Sequence, residues 1–224
     1  MIGIESFMTI ASAETPGSSR DKILDVAESL FSRRGYAGVG MKEVADGVGL
    51  GKSSVFHHFK SKAELYSAVC VRILRSIEDR VIRSLAGGGT PTVRLDRCLG
   101  DLVDLLVAHP NYARLLLRSM FEDDDLPEGG PEGTAVYQAI HGITGPMTAL
   151  LKEGMGAGEF RLASVQHLLL LLIGPIVFPF ASGEFGEELL GRDVFDGAQV
   201  RRIKSELLDF VRGGIGAPNN PTKR

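Results

Sequence analysis

Between positions 41 and 59 the chain reads Met41-Lys42-Glu43-Val44-Ala45-Asp46-Gly47-Val48-Gly49-Leu50-Gly51-Lys52-Ser53-Ser54-Val55-Phe56-His57-His58-Phe59. Two short helical segments are legible in it, Met41 to Val48 and Lys52 to Phe59, with Gly49 in the turn between them. Val44, Ala45, Val48, Leu50, Val55 and Phe59 supply the small and apolar positions through which two such helices pack. A glycine takes the left-handed backbone of a tight turn without a steric cost. The pattern is a helix-turn-helix, and it sets the expectation for the fold class: all-α, with a short N-terminal helical unit built around this turn.

Upstream, Ile23, Leu24, Ala27, Leu30 and Phe31 recur at helical spacing behind Ser19-Arg20-Asp21-Lys22, which predicts a first helix capped by Ser19 and ended by Gly35. Downstream, Ser61-Lys62-Ala63-Glu64 has the spacing of a capping box and predicts a long helix through Leu65, Val69, Ile73, Ile77 and Val81, stopped at Gly87-Gly88-Gly89. Leu95, Leu99, Leu102, Val103 and Leu106 mark another helix, ended at His109-Pro110, and Asn111 to Phe121 a compact one. Glu122 to Gly133 is acidic and rich in Gly and Pro, and reads as a mobile loop. Val136, Ile140, Ile143, Met147 and Leu150 predict a further helix with a kink at Gly145-Pro146. The last amphipathic segment holds Val200, Ile203, Leu207, Phe210 and Val211. About nine helices result, with no period-two strand.

The 22 residues from Leu162 to Gly183 carry no Asp, Glu, Lys or Arg. Ser164, Gln166 and His167 shorten the apolar run, and Pro175 and Pro179 interrupt it, so an interface helix is expected rather than a membrane span. The 224 residues, 44% apolar and 24% charged, are enough for one medium or two small domains with a core. Cys70 and Cys98 lie in no zinc or redox spacing and read as reduced thiols of a cytoplasmic protein. No secretory signal is seen before Ala13; residues 1–18 read as a flexible leader, with Met8 as an alternative start, and 215–224 as a flexible tail.

A net charge of -3 argues against a nucleic-acid partner only while it is averaged over the chain. From Thr15 to Lys62 there are eight Lys or Arg against five acids, a balance of +3; from Ala63 onward, 17 basic residues face 21 acids, a balance of -4. The helix-turn-helix therefore sits in a basic head on an acidic body.

Ser19 to Leu65 resembles the DNA-binding domain of the TetR (tetracycline repressor) family of transcriptional regulators. The resemblance rests on Arg20-x-x-Ile23-Leu24, Leu30-Phe31-x-x-x-Gly35-Tyr36, Val44-Ala45, Val48-Gly49-Leu50-Gly51-Lys52, Phe56-x-x-Phe59-Lys60-Ser61-Lys62 and Leu65. Weaker echoes are His109-Pro110, Leu115-Leu116-Leu117-Arg118, Gly158-Glu159-Phe160-Arg161 and Phe178-Pro179-Phe180. The sequence departs from the family pattern at Gly40, Gly51 and Phe56, each lacking a hydroxyl, so fewer side-chain phosphate contacts are expected.

The resemblance implies a head over 19–65 and a helical effector-binding and dimerisation body over 66–214. Lys52, Ser53, Ser54 and His57 then occupy base-reading positions at the start of a recognition helix, while His58 and Lys62 face the DNA backbone and Lys42 joins the DNA-binding set. The partners implied are double-stranded operator DNA, a second copy of the chain, and a small, mainly apolar effector. Its pocket is sought among Tyr112, Leu116, Met120, Phe121, Tyr137, His141, Met147, His167 and Phe178, with no charge cluster for a phosphate and no metal or cofactor. The alternatives are an architectural DNA binder without a ligand and an enzyme. His57, His58, His109, His141 and His167 form no metal-ligand spacing, and neither a nucleophile elbow nor a P-loop occurs.

Overall fold

The computed structural model describes residues 17–121 and 131–217. The acidic stretch 122–130, most of the expected leader and the tail from 218 lie outside the described residues. Among them there are ten helices and no strand, only an isolated bridge between Phe160 and Gly216.

The head begins with α1 (Ser19–Arg34), whose cap is Ser18 rather than Ser19: its hydroxyl accepts from the Asp21 amide. α2 (Met41–Val48) ends on Gly49 at φ 72°, ψ 28°, the left-handed conformation that turns the chain into α3 (Lys52–His58). Gly40 and Gly51 cap α2 and α3 without a side-chain oxygen of their own; at Gly40 the Glu43 carboxylate reaches back 3.0 Å to the glycine amide. Ile23, Leu24, Ala27, Phe31, Val44, Ala45, Val55 and Phe59 are buried together.

That core is completed by α4 (Lys62–Ala86). Ser61 accepts from the Glu64 amide at 3.0 Å, as the spacing predicts, but the Glu64 carboxylate takes the Lys60 amide, 2.6 Å away. Leu65, Tyr66 and Val69 are fully buried, and the Tyr66 ring stands edge-on to Phe31 at 5.0 Å and to Tyr36 at 5.3 Å. The first two turns of α4 thus belong to the head as much as to the body.

The body comprises α5 (Pro91–Ala108), α6 (Pro110–Ser119), α7 (Pro131–Gly156), α8 (Val165–Ala181), α9 (Glu184–Leu190) and α10 (Gly197–Ile215). α4 packs chiefly on α7 and α5, α6 on α8, and α10 on α5 and α8. Arg212 with Asp96 and Lys204 with Asp104, each at 2.8 Å, tie α10 to α5. α7 continues as helix through Pro146, and α8 through Pro175 and Pro179. The sequence pattern foresees all but α9, a two-turn helix containing Gly186 that follows the turn at Ser182 and Gly183.

α8 is apolar on every side, and burial divides its residues: Leu168, Leu172, Ile176, Val177 and Phe180 enter the core while Leu170, Leu171 and Phe178 face outward. Among the described residues no single helix is long and apolar enough to cross a membrane. α8 and α9 reach that length and composition only as a pair, and they are bent by 90°.

Candidate nucleic-acid interface

α3 is fixed by its apolar positions. Val55 is fully buried and Phe59, at its C-cap, nearly so, which turns Lys52, Ser53, Ser54 and His57 into solvent. The four lie on the exposed side of one short helix whose start is free of any side-chain cap. One lysine and two serine donors near a helix N-terminus and an imidazole one turn later match the hydrogen-bonding edges of a major groove in reach and type. Lys52 carries its ammonium 5.5 Å from the centre of the Phe56 ring, a cation–π contact that steadies the exposed lysine. His57 and His58 meet edge to face at 5.6 Å.

The remaining predicted DNA contacts are placed differently from one another. Lys42 is exposed on α2, and His58 is half-buried. Lys62 is half-buried as well: its Nζ donates to the Tyr36 carbonyl at 2.9 Å and stands 4.2 Å from the Tyr36 ring centre. This lysine is thereby a tie between the α1–α2 loop and α4, in addition to any charge it presents. Arg20, outside the contact set expected from the sequence, stacks over Phe59 at 5.0 Å, beside the end of α3; its place in the Arg-x-x-Ile-Leu motif is the sequence signal for it. Arg34 is pulled the other way, into an ion pair with Glu43. The Arg34 bond and the Gly40 amide hold the Glu43 carboxyl below the usual carboxylate range.

The head is locked to the body by a polar network. Arg72 on α4 donates to Asp25 at 2.7 Å and to Glu28 at 2.6 Å, both on α1. Burial opposes the charge of Arg72, and its bonds to the two carboxylates outweigh that and hold its pKa above the ordinary arginine value. From α6, Asn111 reaches Glu28 at 3.4 Å and accepts from the buried Ser32 hydroxyl at 3.0 Å.

The nine candidate effector residues do not converge on one cavity. Tyr112 and Met147 are buried in the core, the latter with its sulfur 3.8 Å from Cys98 Sγ, and Leu116 is half-buried. Met120, Tyr137, His141, His167 and Phe178 are exposed. Phe121, 80% exposed, borders a surface cavity of about 370 Å³ together with Arg114, Leu117, Arg118, Ala181, Ser182 and Gly183. Among the described residues no group of three or more His, Cys, Asp or Glu side chains is placed to hold a metal.

Residues 23–69 match the family model described as bacterial regulatory proteins, tetR family. The transcriptional activator FasR of Mycolicibacterium smegmatis is 32% identical over 143 residues, 63% of each chain. The transcriptional repressor KstR of Mycobacterium tuberculosis is 28% identical over 107 residues, 48% of this chain and 49% of that one. The chain thus spans less than two thirds of these relatives' lengths. Among solved structures, the ketosteroid regulator KstR2 of Mycobacterium tuberculosis superposes with a TM-score of 0.70 at 18% identity, covering 90% of this chain and 97% of its own. AibR, solved with isovaleryl coenzyme A and operator DNA, superposes with a TM-score of 0.68 at 18% identity, covering 90% and 100%. The helix-turn-helix head thus matches the tetR family of bacterial regulatory proteins over residues 23–69, and the all-helical fold of the whole described chain is shared with these solved structures.

Proposed function

We propose that this regulator is a ligand-responsive repressor that acts in the cytoplasm and binds a palindromic operator as a homodimer, with residues 19–65 as reading head and 66–214 as effector-binding and dimerising body. The observation that carries the reading is α3, where Lys52, Ser53, Ser54 and His57 are presented together on a helix anchored by Val55 and Phe59. Lys52 and Ser54 read base edges; Lys42, His58 and Lys62 add positive charge or hydrogen bonds toward phosphates.

Pairing is supported by the outward faces of α8 and α10. Leu171 is 68% exposed and Phe210 71%, and Leu170 and Phe178 add to the apolar surface of these helices, of the kind that marks an association site. A second copy of the chain seated there sets two α3 helices against successive major-groove faces, about 34 Å apart. The modest charge of one head makes the second head necessary for affinity.

A small molecule regulates such a dimer only if it binds the DNA-competent and DNA-incompetent forms with different affinity. α4 is suited to carry that difference, because its first turns are part of the head core and its later turns pack on α7. The complex of AibR with an acyl coenzyme A and operator DNA supports a ligand response in a protein of this fold.

The test is selection of genomic fragments by the full-length protein, followed by gel-shift titration. The expected result is enrichment of one or a few palindromes, bound by wild type and lost on Lys52→Ala. Uniform retention of random fragments, or equal binding by Lys52→Ala, overturns the proposal.

A further inference from the structure

α3 carries a phenylalanine near its middle and another at its C-cap, and their surroundings are opposite. Phe59, at the C-cap, is 1% exposed and joins Val55 in the head core. Phe56 is half-buried, and among the described residues it belongs neither to that core nor to the side chains packed against it. The rings of Phe31, Tyr36 and Tyr66 find one another, with centres 5.0 to 6.4 Å apart. Phe56 has instead the Lys52 ammonium, 5.5 Å from its centre. An apolar ring that adds nothing to the core is thus left on the helix that meets DNA in the reading above.

Its place on the helix narrows what it can touch. At about 3.6 residues per turn, position 56 follows Lys52 and Ser53 by one turn. It stands at the flank between the outward side chains Ser53, Ser54 and His57 and the buried edge of Val55 and Phe59. A phenyl ring has no hydrogen bond to give a phosphate or a base edge. The apolar feature of the major groove that depends on sequence is the C5-methyl group of thymine, and Phe is among the side chains suited to it. That methyl stands at the margin of the groove, beside its own strand's backbone, where the flank of an inserted helix passes. Attraction of the ammonium to the ring holds Lys52 and Phe56 together. They form a pair, a donor for guanine N7 or O6 and beside it an apolar surface for a methyl group. Their separation of 5.5 Å, against a rise of about 3.4 Å per base pair, sets the two targets one or two base pairs apart.

We infer that Phe56 is a specificity-determining residue of the operator contact, reading a thymine in each half-site through its C5-methyl group, one or two base pairs from the base read by Lys52. This role rests on the operator-binding reading above. Removal of the methyl alone, with base pairing unchanged, is then felt by the protein, and felt through Phe56.

The test is competition gel shift of the full-length protein on the selected palindrome, with each thymine replaced in turn by deoxyuridine, which pairs as thymine does and lacks only the methyl group. At one thymine per half-site the replacement is expected to weaken wild type about fourfold, and about fifteenfold when both half-sites carry it, as burial of one methyl group per contact gives. Phe56→Ala binds the unmodified palindrome more weakly by at least that amount and no longer distinguishes deoxyuridine from thymine there. It keeps the wild-type melting midpoint, because the ring lies outside the core. Phe56→Leu, which retains an apolar side chain, still distinguishes the two bases. The proposal is overturned if no deoxyuridine replacement weakens binding by more than about twofold, or if Phe56→Ala stays as sensitive to it as wild type. It is also overturned if the sensitive thymine lies beyond the two base pairs next to the position at which Lys52→Ala relaxes base preference. In each of these cases a palindrome lost on Lys52→Ala leaves the operator reading standing, whereas failure to select any palindrome removes both.

Discussion

Replacing Arg72 by alanine tests whether the head is held to the body by charge. Arg72 donates to Glu28 at 2.6 Å and to Asp25 at 2.7 Å, and the two arms are unequal in environment. The Glu28 side chain is 13% exposed, that of Asp25 71%. The Asp25 arm is an exposed ion pair and contributes less than about 1 kcal/mol. The Glu28 arm is a charge-assisted bond in a half-buried setting, worth about 1.5–3 kcal/mol, and its loss leaves Glu28 with the longer Asn111 contact at 3.4 Å. Arg72→Ala is therefore expected to destabilise the protein by about 2–3 kcal/mol. At about 2–4 °C per kcal/mol for a chain of this size, the melting midpoint falls by about 4–12 °C. The assay is thermal and guanidinium unfolding followed by circular dichroism, with Glu28→Gln and the double variant completing a cycle. The cycle should show coupling of about 1 kcal/mol or more between positions 28 and 72. A loss below about 0.5 kcal/mol for Arg72→Ala, or additive single changes, refutes the reasoning and leaves the head held by Tyr66, Phe31 and their neighbours alone.

Lys52→Ala and Ser54→Ala should each cost about 1–3 kcal/mol on the selected operator and little on random DNA, measured by competition gel shift. Lys62→Ala, by removing the bond to the Tyr36 carbonyl at 2.9 Å, should lower stability by about 1 kcal/mol and reduce affinity equally on operator and random DNA; an operator-specific loss with an unchanged melting midpoint contradicts this. Phe210→Glu, at a 71% exposed position, should yield a folded monomer in sedimentation equilibrium, and persistence of a dimer would remove α10 from the pairing surface. Burial, with a smaller contribution from Asp101, pushes the Cys98 thiol up to about 12. The native protein keeps that proton where an unfolded chain, with a pKa of about 8.5, has lost it. Stability should therefore fall as pH rises from about 9 toward 12, and alkylation of Cys98 at pH 8 should require denaturant. Rapid labelling of Cys98 in the native state would contradict the burial.

Local pattern made the head legible. Val44, Ala45, Gly49, Val55 and Phe59 sit at spacings that only two short helices about a tight turn satisfy, and the residues left over, Lys52, Ser53, Ser54 and His57, are those the fold turns outward. The long helix from Ser61 and the apolar stripe of α5 were equally readable, because amphipathic periodicity is a property of neighbours in sequence. The cap of α1 was misplaced by one residue, Ser18 for Ser19, since two adjacent serines carry the same signal. α9 escaped because a seven-residue helix with an internal glycine offers too few turns for a period to show.

The surroundings of individual side chains were another matter. Tyr112 and Met147 have the composition of pocket residues and lie in packed core, whereas Arg114, Leu117 and Arg118 gave no sign of a cavity. Lys62 reads as a phosphate contact, yet its ammonium is engaged with Tyr36, 26 positions away. The sequence by itself determined the helix-turn-helix, the all-α class, the basic head on an acidic body and an apolar α8, all of which follow from residue order over a few helical turns. Only the tertiary structure decided that Arg72 and Asn111 latch onto α1, that α6 meets the α8–α9 corner, and which half of α8 stays outside. These depend on residues brought together over tens of positions, and their energies arise from burial and charge pairing that exist only once the helices have packed.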